Sequence, residues 1–205
     1  MLYLEHMKGA YALLGILFLI LIGGTLFLAN RAEAPEITSI TGGQESQTLM
    51  KTFTLQSTGF EPNGTIPSKY TCDGENVSVP LSWSGVPEGT ISLTLIMDDS
   101  DIPDSVKEGM GIEAFDHWVV FNMPPDTQEI QEGETPPGIE GAHSGGGVGY
   151  TGPCPPDREH RYIFTLYALD TKLDLSEGAT KADVLHSLDG HVIEEATLTG
   201  LYNRS

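Results

Sequence analysis

Positive charge is what this chain most lacks: 10 Lys and Arg stand against 29 Asp and Glu, a formal net charge of -19. A surface of that sign repels phosphate backbones and anionic headgroups at long range, which argues against a nucleic-acid partner. Any anion must be held locally, by a few sheltered groups. Cysteine is nearly absent too. Cys72 and Cys154 have no Cys-x-x-Cys spacing and no paired His nearby, so a zinc finger is not expected. No Gly-x-Ser-x-Gly elbow is present, and Cys154 sits among prolines without an obvious base, so nucleophilic hydrolysis is not expected either. The reading is a binding protein rather than an enzyme, with no cofactor and no metal. Aromatic residues make up 8% and charged residues 19%, while Gly numbers 24, a balance that favours turns and strands over long solvated helices.

Long apolar runs are also missing, with one exception at the N-terminus. Ala10 to Ala29, AYALLGILFLILIGGTLFLA, is twenty residues without a charge, about the length a helix needs to cross roughly 30 Å of hydrocarbon. It predicts an uncleaved transmembrane signal anchor. Ala32-Glu33-Ala34 has the small residues a signal peptidase needs, but Pro35 follows directly. The expected organisation is a short tail over 1–9, the anchor over 10–29, a flexible tether over 30–51 and one domain over 52–205. The expected location is the cell membrane, single-pass, with the domain outside. Three sequons fit export: Asn63-Gly64-Thr65, Asn76-Val77-Ser78 and Asn203-Arg204-Ser205, with Asn63 and Asn76 the candidate glycosylation sites. In an oxidising compartment Cys72 and Cys154 can form one disulfide, and two unlinked thiols fit the sequence equally well.

From Thr52 onward, short apolar alternations separated by turn residues predict a mostly β, antiparallel domain. Phe53, Leu55 and Phe60 open it; strands are expected around 81–83, 91–97, 118–123, 162–169 and 196–202. One helix is expected over 180–188, where Thr180 and Asp183 resemble a capping box. Polar residues collect at the ends of these strands. Asp99 continues the parity of Leu93, Leu95 and Met97; His117 has the parity of Val119 and Phe121; His160 opens the strand of Tyr162, Phe164 and Leu166. Polar side chains aligned with apolar faces are costly unless they satisfy one another or a ligand. Asp99, Asp101, His117 and His160 also suggest an alternative, a metal-dependent hydrolase in which they bind a divalent ion and activate water.

Together, Tyr70-Thr71-Cys72-Asp73-Gly74-Glu75-Asn76, the Asp-x-Asp-x-Pro of Asp99 to Pro103, His117-Trp118, Gly149-Tyr150-Thr151-Gly152-Pro153-Cys154-Pro155-Pro156, His160-Arg161-Tyr162 and Leu166 to Asp170 resemble the phosphatidylethanolamine-binding protein (PEBP) family. The likeness is closest to its prokaryotic Raf-kinase-inhibitor-like branch. It implies a large central antiparallel sheet, a second small sheet, a few peripheral helices and a small pocket for phosphate or phospholipid headgroups. By that resemblance Asp99 and Asp101 match the family's two acids, His117 its first pocket histidine, and His160 and Tyr162 the His and Tyr of its His-Arg-Tyr. Cys154, Pro155 and Pro156 belong to the pocket-wall loop. Ser100 stands where the family usually has Pro, and Ala142 to Gly147 is unusually glycine-rich. The expected ligand-binding set is Asp99, Asp101, His117, Cys154, Pro156, His160 and Tyr162, with His117 and His160 as donors to the anion, Asp99 as the acid that orients an imidazole, Asp101 forming the turn or supporting the site from behind, Tyr162 as a hydroxyl donor, and backbone N–H groups near Gly152 to Cys154 completing an anion nest. A protease- or kinase-inhibitor-like module is the family's other implied activity; no residue here specifies its target.

Overall fold

Two antiparallel sheets and two short helices make up residues 51–204, the part of the chain that the computed structural model describes. The strands are β1 Thr54–Gln56, β2 Leu81–Ser84, β3 Ser92–Asp99, β4 Phe115–Met123, β5 Glu129–Ile130, β6 Ile139–Glu140, β7 His160–Leu169 and β8 Val192–Tyr202; the helices are α1 Asp104–Met110 and α2 Lys181–Leu188. The small sheet has the order β1-β2-β5, and the large one β6-β4-β3-β7-β8.

β3 lies at the centre of the large sheet and is covered on both faces, which is why burial runs on from Ser92 to Met97, with Ser92 and Thr94 included, instead of alternating. Leu93, Leu95 and Met97 pack with Trp118, Phe164 and Leu166 against Leu55, Leu81 and Trp83 of the small sheet. On the other face Ile96, Val119 and Phe121 meet Val184 and Leu188 of α2. Burying each such side chain fully contributes roughly 1.5–3 kcal/mol, so the two-sided core fixes β3, β4 and β7 firmly. α2 starts at the expected cap. Thr180 and Asp183 exchange hydrogen bonds, Asp183 N to Thr180 Oγ1 at 3.2 Å and Thr180 N to Asp183 Oδ2 at 3.0 Å.

β3 runs to Asp99, and β4 begins at Phe115, three residues before the expected start. Asp99 and His117 are therefore strand residues whose direction the ladder sets. α1 was not expected from the sequence, because it buries no residue and so has no apolar face to betray it. Its signals are punctuation alone: Pro103 before it and Gly111 after it, the latter left-handed at φ 69° with its N–H on Lys107 O.

The expectation of a membrane-spanning helix, and the single-pass membrane location drawn from it, is corrected here. Among the described residues no helix is long and apolar enough to cross a membrane. The longest, α2, has eight residues. The segments 1–9 and 10–29, and 30–51 apart from Lys51, lie outside the described residues.

Candidate functional site

A β-bulge places the first histidine. Across β3 and β4, Met97 pairs with Trp118 and Asp98 pairs with Asp116, which leaves His117 as the extra residue on β4. A bulge turns two successive side chains to the same face. His117 therefore shares the face of its neighbour Trp118, on the side of Asp99, Phe115 and Tyr162, while Asp116 goes to the α2 side. Simple alternation aligned His117 with Val119 and Phe121; the bulge overrides it.

The chemistry of the His117 ring follows from one contact. Its Nδ1 lies 2.7 Å from Thr151 O, and a carbonyl only accepts, so Nδ1 carries the proton. Thr151 N–H returns a bond of 2.9 Å to His117 O. Nε2 has no hydrogen-bond partner among the described residues, and His117 lines a cavity of about 220 Å³ with Asp99, Phe115, Thr151, Gly152 and Cys154. Ile102, Pro103, Val106 and Pro156 complete an apolar wall. Burial lowers the His117 pKa to about 4, against the opposing pull of the Thr151 carbonyl. At neutral pH Nε2 is thus a bare acceptor.

Asp99 turns to the other histidine. Its Oδ2 is 2.6 Å from His160 Nδ1, and its Oδ1 accepts Asp101 N–H at 2.8 Å. That second bond closes the turn after β3 through a side chain, with Ser100 where the family's proline would stand. Burial pushes the Asp99 carboxyl above the ordinary carboxylate range, and the His160 hydrogen bond pulls the other way. His160 is wholly buried, and its Nε2 lies 2.8 Å from Asp157 Oδ1. Both ring nitrogens are engaged by acids, so His160 has none left for a ligand.

Several expected roles are therefore placed differently. The imidazole that Asp99 orients is that of His160. Asp101 forms a two-pronged pair with Arg161, at 2.7 Å from both Nε and Nη2, and lies outside the cavity lining. Tyr162 is buried edge-on to His117 with ring centroids 5.2 Å apart, and its hydroxyl has no hydrogen-bond partner among the described residues. Two of the amides near Gly152 are spent within the protein: Thr151 N on His117 O, and Gly152 N on Asn76 Oδ1 at 2.8 Å. Cys154 and Pro156 do line the cavity, and Pro155 does not. Cys154 is bonded to Cys72 across 82 residues. The glycine-rich run stays out of the lining; in it, Ser144 Oγ accepts Asp116 N–H at 2.9 Å. Asn76, a candidate sequon, sits at φ 58° and holds the cavity loop; Asn63 is likewise left-handed at φ 59°. Among the described residues no group of three or more His, Cys, Asp or Glu is placed to hold a metal ion.

The family model described as phosphatidylethanolamine-binding protein matches residues 56–203. The chain belongs to that family. A UPF0098 protein of Methanothermobacter thermautotrophicus is 51% identical over 156 residues, covering 73% of this chain and 98% of that protein. The crystal structure of a phosphatidylethanolamine-binding protein homologue from Chlamydia trachomatis superposes with a TM-score of 0.71 at 42% identity, covering 75% of this chain and 98% of that one. Escherichia coli YbcL, whose structure is presented as a new member of the mammalian PEBP family, reaches 0.67 at 29% identity over 75% of this chain and 99% of its own. The resemblance read from the motifs, including its prokaryotic leaning, is borne out.

Sequence reasoning missed four residues of this family member's site. Thr151 fixes the His117 tautomer, Asp157 takes the second nitrogen of His160, Asn76 anchors Gly152, and Phe115 walls the cavity. Asp157 lies three positions before His160, so its spacing was readable; the other pairings join residues 34 to 76 apart and had no local signal.

Proposed function

We propose that the cavity binds a phosphate-type group, free or as a phospholipid headgroup, and that this chain is a binding protein rather than a catalyst. The observation that carries the reading is the open Nε2 of His117, held in one tautomer at the wall of a small cavity. A neutral acceptor asks for a ligand that brings a proton, and a singly protonated phosphate or phosphomonoester has a P–O–H to donate. Asp99, on the same wall, complements an ammonium group such as that of ethanolamine. The apolar residues from Ile102 to Val106 suit a short methylene linker. A cavity of about 220 Å³ accepts a headgroup and not a whole lipid. All these residues fall within 52–205, the segment we take as the binding domain.

Calorimetric titration with phosphoethanolamine and with inorganic phosphate tests this. Saturable heat is expected for the wild type and none for His117→Ala, with unchanged circular dichroism. Tighter binding of phosphoethanolamine than of phosphate assigns the headgroup; equal affinity assigns the phosphate alone. No heat with either ligand, or unchanged affinity in His117→Ala, overturns the proposal.

A further inference from the structure

Behind the sheet, on the face away from the cavity, Lys181 reaches from the first turn of α2 to both acids that flank the His117 bulge. Its Nζ lies 2.7 Å from Asp98 Oδ2 and 2.8 Å from Asp116 Oδ1. Asp98 and Asp116 are direct register partners across β3 and β4, at the step where the ladder shifts. Two carboxylates placed opposite each other on one face of a sheet repel, and these are largely removed from water. Left alone, they would push the strands apart at the point where the bulge must close.

We infer that Lys181 is a positioning residue: by cancelling the repulsion between Asp98 and Asp116 it lets the bulge close and so aims His117 into the cavity. The geometry offers no cheaper role for it. A lysine serving only solubility would extend into water, whereas this side chain is 17% exposed and spans two acids on neighbouring strands. Burial works against its charge, but the ion pair with Asp116 and the hydrogen bond to Asp98 outweigh that, and its pKa lies above that of an ordinary lysine. The backbone of Asp116 is already tied to Ser144 in both directions, and His117 to Thr151. Lys181 supplies what those bonds do not, a counter-charge for the carboxylates.

The inference rests on His117 being the ligand-facing group, yet its main test does not need a ligand. The Nδ1–H of His117, held on Thr151 O, gives a protected imidazole proton observable by nuclear magnetic resonance in the full chain. In Lys181→Met that signal should shift or vanish, and inorganic phosphate should bind roughly ten- to a hundredfold more weakly, the scale of loss when a distant change misplaces a site group. Lys181→Arg should keep both. Adding Asp98→Asn and Asp116→Asn to Lys181→Met should return the signal, because the repulsion goes with the acids; a lysine that merely anchors α2 would not be rescued in this way. An unchanged signal in Lys181→Met, or no recovery in the triple variant, overturns the inference. If Lys181→Met does not fold, the triple variant alone decides on the same two outcomes. Failure of the wild type to bind phosphate would remove the ligand reading and leave the His117 signal to judge Lys181.

Discussion

His117 and Thr151 hold each other twice, through Nδ1–H to Thr151 O at 2.7 Å and through Thr151 N–H to His117 O at 2.9 Å. The pair joins a bulged strand to the loop of the cavity wall, so the ring's tautomer and the loop's position are one structural fact. It also sets how the site answers to acid.

Protonation of His117 should weaken the fold. Its pKa falls from 6.5 to about 4 on burial, so the unfolded chain binds more protons between those values. Stability from this group is complete above about pH 6.5 and is lost as pH falls toward 4, by roughly 3 kcal/mol at most. Asp99, raised by burial, works in the opposite direction, so the comparison must be differential. Denaturant unfolding of the wild type and His117→Gln at pH 7, 5.5 and 4 checks it: the gap between them should narrow as pH falls. A constant gap contradicts the assignment.

Asp101 should matter to stability at neutral pH and not to the ligand. Arg161 beside it holds its carboxyl down at about 2, so its contribution is present above the ordinary carboxylate range and is lost progressively as pH falls from about 4 through about 2. Arg161 is well exposed, which limits the pair to about 1 kcal/mol or less at neutral pH. Asp101→Asn should leave phosphoethanolamine affinity within about twofold by calorimetry, since a change at a pair outside the cavity shifts binding by only a few tenths of a kcal/mol. A tenfold loss would put Asp101 back among the ligand groups.

The disulfide should stabilise both fold and cavity. It closes a separation of 82 residues and ends at Cys154 in the cavity wall. Replacing both cysteines with serine should cost about 2–4 kcal/mol in chemical unfolding. A loss under about 0.5 kcal/mol would mean that the neighbouring hydrogen bonds, Cys72 N to Pro153 O among them, already hold the loop.

Gly152→Ala should displace the cavity loop. An added Cβ would lie 2.4 Å from Tyr70 O and 2.6 Å from Asn76 Oδ1, the atom that accepts the Gly152 amide. Overpacking of this kind costs about 1–3 kcal/mol. Thermal unfolding and the His117 imidazole signal should both shift; a wild-type signal would show that the loop yields without moving Thr151.

Much of the scaffold was legible. The strands around Leu93, Val119 and Phe164 follow from β-branched and aromatic runs, and α2 from Thr180 and Asp183. The gathering of Asp99, His117 and His160 at one end of the large sheet was readable because all three stand beside apolar strand residues. Which of them pair was not. Alternation carries a side chain's face only while the ladder is regular, and β3 and β4 shift register between Met97 and Asp98. The membrane helix illustrates the opposite hazard: a purely local reading of 10–29, with no membrane-spanning helix among the described residues to support it.

By itself the sequence determined the family, the β class and part of the cavity lining, Asp99, His117, Cys154 and Pro156, since these are written in local pattern and ordered motifs. The tertiary structure alone decided that Asp99 serves His160, that Thr151 sets the His117 proton, and that Lys181 stands behind the bulge. The reason is physical: hydrogen bonds and ion pairs act over about 3 Å in space, and which groups come that close depends on strand register and on chain return across dozens of residues.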